Sequence, residues 1–161
     1  MRKIASFTID HTNLKSGIYV SMRQRYNNTI ITTFDIRIRT PYIDPVMTIS
    51  EMHTIEHIGA SYLRNHSIIG DSIVYFGPMG CRTGFYLVME GDVNSEEIVP
   101  IIRSLFTHIA NFTGPIPGAS KKECGNYTDM DLLSAKNTAR IYLEQTLNKL
   151  SLDQLYYQNK L

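Results

Sequence analysis

The sequence predicts an α+β fold: a mainly antiparallel sheet packed against helices, in a single domain over residues 1–161. Three observations lead there. Residues on both sides of Asn27-Asn28 read as two strands, the second with alternating faces. Two later stretches carry apolar residues at helical spacing, and a capping box opens a further helix between them. No repeat, low-complexity segment or linker divides the chain, and a chain of about 150 residues buries close to 70% of its unfolded surface.

Taken in order, Arg2 to Ile9 is β-friendly and reads as a first strand. Gly17 to Tyr26 and Thr29 to Arg39 read as two strands joined at Asn27-Asn28, a pair that tolerates left-handed backbone and suits a tight hairpin. In the second strand Ile30, Thr32, Phe34, Ile36 and Ile38 share one face, and Ile31, Thr33, Asp35, Arg37 and Arg39 the other. Pro41 and Pro45 punctuate the connection to a helix from about Ser50 to Asn65. Its expected packed stripe is Met52, Ile55, Gly59, Tyr62 and Leu63, with Gly59 marking a close approach by another backbone. Ser72 to Phe76 and Thr83 to Glu90 are two further strands. Asn94 and Glu97 form a capping box that opens a helix running to about Phe112, with Pro100 blurring its first turns. Thr113 to Lys122 is a loop. Asp129 or Asp131 caps the last helix, whose expected buried stripe is Leu132, Leu133, Ala139, Tyr142, Leu143, Leu147 and Leu150.

Composition narrows the function classes. Sixteen basic and 15 acidic residues are interspersed, for a net charge of +1, which is no nucleic-acid footprint. The polar opening Met1-Arg2-Lys3 is no signal peptide, and no apolar run reaches membrane-spanning length. The expected location is the cytoplasm. There Cys81 and Cys124 are free for metal binding or catalysis rather than a structural disulfide.

The most informative motif is His53-Thr54-Ile55-Glu56-His57. On a helix, i and i+4 lie on one face, so both imidazoles can reach one metal ion while Glu56 stands beside its open side as a general base. The order H-x-x-E-H inverts the commoner zinc motif. A surface helix with two solvated histidines is the plain alternative. Neutral imidazoles suit zinc, iron and other late first-row ions, and a catalytic site adds a third protein ligand. Cys124, next to Gly125, is the best candidate, against the reading of a small buried hydrophobe. His11, His66 and His108 lack the helical pairing. Cys81 follows Gly80 in a turn where backbone amides and Arg82 could stabilise a thiolate; an inert turn cysteine is the alternative. Arg37 has the fork geometry for a carboxylate, although sheet arginines are commonly structural.

Taken together, several segments resemble the S-ribosylhomocysteine lyase (LuxS) family. They are Ser6-Phe7-Thr8-Ile9-Asp10-His11-Thr12, Phe34-Asp35-Ile36-Arg37, His53-Thr54-Ile55-Glu56-His57, Leu63-Arg64-Asn65-His66, the run from Pro78 to Tyr86 and Cys124-Gly125. The resemblance implies a homodimer with two active sites at its interface and one divalent metal per chain, Fe²⁺ with Zn²⁺ or Co²⁺ able to substitute. It implies cleavage of S-ribosylhomocysteine to homocysteine and 4,5-dihydroxy-2,3-pentanedione, the autoinducer-2 precursor. By that match His53, His57 and Cys124 bind the metal, and Glu56 and Cys81 move protons. Ser6, His11 and Arg37 lie near the substrate, with Arg64 a further candidate. One departure is Tyr75, where many members carry an acidic residue near the substrate's amino-acid end; Gly77 likewise replaces a frequent serine. A small zinc metallopeptidase and a non-catalytic structural metal module are the alternative functions. The first leaves Cys81 idle and the second closes the fourth coordination position.

Overall fold

In the computed structural model, which describes residues 5–158, β1 (Gly17–Tyr26) and β2 (Thr29–Arg37) form the expected hairpin. Asn27 turns it at φ 54°, a left-handed conformation that asparagine tolerates. β2 also pairs with β4 (Gly84–Glu90), and β4 with β3 (Ile73–Pro78), all antiparallel, in the order β1-β2-β4-β3. Opposed residues share a face, so two rows define the sheet. Ile18, Ile36 and Phe85 point to one side; Tyr19, Asp35, Tyr86 and Gly77 point to the other.

The first side is the core. α1 (Ile49–Arg64), α2 (Ser95–Asn111) and α3 (Leu132–Gln145) complete it, making four strands and three α-helices among the described residues. Thr48 caps α1 by accepting from the Glu51 N–H, and Asp131 caps α3 by accepting from Ser134. The Asn94–Glu97 capping box opens α2, which continues through Pro100. An interior proline costs about 3 kcal/mol. Burial of Ile98, Ile102, Leu105, Phe106 and Ile109 outweighs it, each large apolar side chain being worth about 1.5–3 kcal/mol. No helix among the described residues is long and apolar enough to cross a membrane.

Five expectations need correction. Residues 5–8 form a 3-10 turn rather than part of a first strand, and residues 1–4 lie outside the described residues. β2 ends at Arg37 because the Ile38 and Arg39 N–H groups both donate to the Thr83 carbonyl, at 3.0 and 2.9 Å, which ends the alternation. Arg39 therefore turns to Thr138 and Glu51. In α3, Leu133 is 76% exposed, and the buried stripe is Ala135, Thr138, Ala139 and Tyr142. In α1, Ile58 is buried whereas Tyr62 is only partly so, its hydroxyl meeting Ser104.

Gly59 does mark a close approach, but by a side chain: a Cβ there would lie 2.5 Å from the Phe76 ring. That ring is 3% exposed and stacked on Phe85, so it has no room to swing away. Gly59→Ala should therefore lower the urea midpoint, although helix propensity alone favours alanine by about 1 kcal/mol. Overpacking a core costs about 1–3 kcal/mol, and Gly59→Val should cost more than Gly59→Ala. A raised midpoint for Gly59→Ala would show that the Phe76 contact is slack.

Candidate metal centre and thiol pocket

Helical spacing brings His53 and His57 together on one flank of α1, their ring centroids 4.7 Å apart. Each ring is held by a carbonyl. His53 Nδ1 lies 2.9 Å from the Asp129 oxygen, and His57 Nδ1 2.7 Å from the Pro117 oxygen. A carbonyl only accepts, so Nδ1 carries the proton in both rings and each Nε2 keeps the lone pair a metal needs. This arrangement of outer hydrogen bonds is the usual one for metal-binding imidazoles.

Both carbonyls belong to the loop between α2 and α3, and that loop also delivers Cys124. Ser50 donates to the Asp129 carboxylate, and the Thr54 hydroxyl accepts from the Asp131 N–H, docking the loop on the first turns of α1. Gly118, at φ 68°, passes so near His57 that a Cβ would lie 3.1 Å from Nδ1.

The ligand atoms of His53, His57 and Cys124 lie within 4.8 Å of one another, the one such cluster found among the described residues. Cys124 Sγ is 3.4 Å from His53 Nε2. Two ligands of one tetrahedral ion, with metal–sulfur and metal–nitrogen bonds of about 2.3 and 2.0 Å, sit about 3.5 Å apart. The donor set and its spacing therefore fit a divalent metal. Glu56 is half-buried on the same helix and makes no hydrogen bond or ion pair among the described residues.

Cys81 is elsewhere. The turn after β3 places it at the end of the sheet, against Arg37 on the face opposite α1. Arg37 donates through Nη2 to Asp35 at 2.6 Å and through Nη1 to the Thr83 hydroxyl at 2.5 Å. Accepting that bond leaves the Thr83 proton to point at Cys81 Sγ, 3.1 Å away, while Arg37 Nη1 itself lies 3.7 Å from the sulfur. Burial pushes the thiol up, but bonds from Thr83 and the Arg37 charge outweigh it and hold the thiol below the usual cysteine range. The expected helper Arg82 is exposed, at φ 60°, and Arg37 takes its place. No hydrogen bond or ion pair among the described residues joins Cys81 or Arg37 to the metal cluster.

The remaining candidates divide between these regions. His11 folds back on the Ile9 carbonyl at 2.9 Å, and its neighbours Ile9 and Leu14 pack with Tyr19 and Tyr157. The Ser6 side chain lies outside the described residues. Arg64 spans to β3, donating to the Ile73 and Val74 carbonyls at 3.1 and 2.7 Å. Tyr75 lies over Gly77, where a Cβ would be 2.0 Å from its hydroxyl, so the two departures noted in the sequence are sterically coupled. Sequence reasoning missed Thr83, although its place two residues after Cys81 was a usable signal. It also missed the Asp129 and Pro117 carbonyls, for which side-chain identity gives none.

The class defined here is an α+β metal-site protein with a second, polarised thiol on the far side of its sheet. Residues 4–153 match the family model described as S-ribosylhomocysteinase (LuxS), and the chain belongs to that family. It is 51% identical over 159 residues to the S-ribosylhomocysteine lyase of Clostridium beijerinckii, covering 99% of this chain and 100% of the relative. It is 54% identical over 157 residues to that of Borreliella burgdorferi, covering 98% and 99%. With the lyase of Phocaeicola vulgatus the identity is 49% over 160 residues, 99% of each chain.

Cobalt-loaded protein should show a thiolate-to-metal charge-transfer band that Cys124→Ser abolishes and Cys81→Ser leaves intact. A band that survives Cys124→Ser but not Cys81→Ser would refute the ligand set.

Proposed function

We propose that the chain is a metal-dependent S-ribosylhomocysteine lyase, working as one catalytic domain over residues 1–161. Its products are homocysteine and 4,5-dihydroxy-2,3-pentanedione. The observation that carries this reading is the pairing of a metal-competent His53–His57–Cys124 cluster with a polarised Cys81 in a chain of this family. Peptidase and structural-module readings leave the Arg37–Thr83–Cys81 arrangement without a use.

A thioether on carbon 5 of a sugar has no easy way to leave. Moving the carbonyl from carbon 1 to carbon 3 makes the carbon 4 proton acidic, and the thiolate then departs by β-elimination. Bound by one thiolate and two neutral imidazoles, a divalent ion keeps net positive charge and supplies Lewis acidity to the sugar oxygens. We assign Fe²⁺ on the family resemblance, with Zn²⁺ or Co²⁺ able to substitute. His53, His57 and Cys124 would hold it. Each carbonyl shift removes a proton from one carbon and returns one to its neighbour, so the site needs positioned acid/base groups. Cys81, its thiol pKa lowered by the bonds from Thr83 and the Arg37 charge, takes and returns protons on one side; Glu56, on the metal helix with no hydrogen bond or ion pair among the described residues, serves the other.

These two groups stand on opposite faces of one sheet. We therefore propose a homodimer in which the thiol face of one chain meets the metal helix of its partner, with water excluded between them. Ser6, His11 and Arg37 belong to the thiol half in this reading, with Arg37 acting through the thiol. Arg64 stands on the metal helix. Reduced thiols in both halves suit the cytoplasm.

Metal-loaded protein incubated with S-ribosylhomocysteine should release free thiol. Glu56→Gln and Cys81→Ala should keep their metal yet lose about 10²- to 10⁴-fold in turnover. No thiol release by the wild-type protein would overturn the lyase reading; near-normal turnover in either variant would remove that residue from the mechanism.

A further inference from the structure

Tyr157 lies beyond the residues 4–153 that match the family model, yet it reaches the centre of the thiol face. Its ring stacks flat on Tyr19, with centroids 4.6 Å apart and planes 6° from parallel. Its hydroxyl donates to Asp35 Oδ2 at 2.9 Å, the same oxygen that takes Arg37 Nη2 at 2.6 Å. The other carboxylate oxygen, Oδ1, is buried with no hydrogen-bond partner. Asp35 is thus oriented through one oxygen by two donors, one of them carried by the C-terminal segment.

We infer that Tyr157 is a positioning residue for Cys81, acting along the series Tyr157, Asp35, Arg37, Thr83, Cys81. Without its hydroxyl the Asp35 carboxylate is held by Arg37 alone and is free to rotate about its own side chain. Arg37 then loses the fixed anchor that sets its Nη1 between the Thr83 hydroxyl and the sulfur. The titratable groups around this pair are Tyr19 on β1, Tyr86 on β4, Cys81 beyond Arg37 and Tyr157 itself, with Tyr142 on α3 packed in the core, its hydroxyl donating to the Gly17 carbonyl. Burial, with Asp35 next, drives all four phenols (Tyr19, Tyr86, Tyr142 and Tyr157) upward, so they remain neutral across the range in which a thiol titrates.

The effect on turnover rests on the lyase reading; the effect on thiol reactivity does not. The test is the pH profile of Cys81 alkylation by iodoacetamide in metal-loaded protein, resolved by peptide mass spectrometry, alongside thiol release from S-ribosylhomocysteine. Tyr157→Phe keeps the stacked ring and removes only the hydroxyl. Its profile should move to higher pH, slowing alkylation below the midpoint by about threefold or more, the effect of half a pKa unit on thiolate fraction. Tyr157→Leu should move it the same way and serves if the Phe variant does not fold. Tyr19→Phe is the matched control, because it removes a buried hydroxyl that donates to the Lys15 carbonyl at 3.0 Å rather than to Asp35. It should leave the profile in place. A Tyr157→Phe profile that coincides with wild type, or an equal shift in Tyr19→Phe, overturns the inference. A shifted profile in a protein that releases no thiol would sustain the positioning role and sink the lyase reading instead.

Discussion

The buried ion pair between Asp35 and Arg37 is the interaction on which the thiol face depends. Both side chains are 3% exposed, and they meet at 2.6 Å. Taking two charges out of water costs several kcal/mol each, and their attraction recovers this only where further hydrogen bonds complete the geometry. Here Tyr157 supplies one to Asp35 and Thr83 accepts one from Arg37. Such a pair adds little net stability over an apolar substitute, whereas removing one partner costs about 3–5 kcal/mol. What the fold gains is a fixed cation beside Cys81. The sulfur receives that field through Thr83 and directly from the guanidinium.

The same strand sends Phe34 and Ile36 to the opposite side, into the core beneath the helices. Alternation along β2 thus ties the packing of α1 to the placement of Arg37, and it sets the metal helix and the thiol on different faces. The loop from α2 to α3 completes the first half by turning two carbonyls and one thiol toward α1. The metal cluster and the thiol thus lie on different sides of one sheet. In the proposed homodimer, a closed twofold arrangement would set each thiol face against the partner's metal helix and form two equivalent sites.

Much of this was legible in the sequence because it follows from periodicity. The hairpin at Asn27, the capping box at Asn94 and the imidazole pair on α1 depend on local spacing, and local spacing survives folding. Residues 5–8 show the limit, since a β-friendly composition there yielded to a 3-10 turn. Leu133 shows another: helical spacing marks it as apolar but cannot tell which flank meets the sheet, and it faces solvent. Alternation puts Asp35 and Arg37 on one face of β2, but it does not show that this face is buried there or that Asp35 is the carboxylate the Arg37 fork meets. The carbonyls that fix the imidazole tautomers carry no side-chain signature at all.

The proposed division of one site between two chains can be tested with a mixed dimer. Chains carrying Glu56→Gln and Cys81→Ala, each inactive alone, are co-expressed with different tags, and the assembly bearing both tags is assayed for thiol release from S-ribosylhomocysteine. One intact site of two should be rebuilt per mixed pair, giving roughly half the wild-type turnover. A mixed assembly as inactive as its parents would contradict this, because Glu56 and Cys81 would then have to serve one site from the same chain.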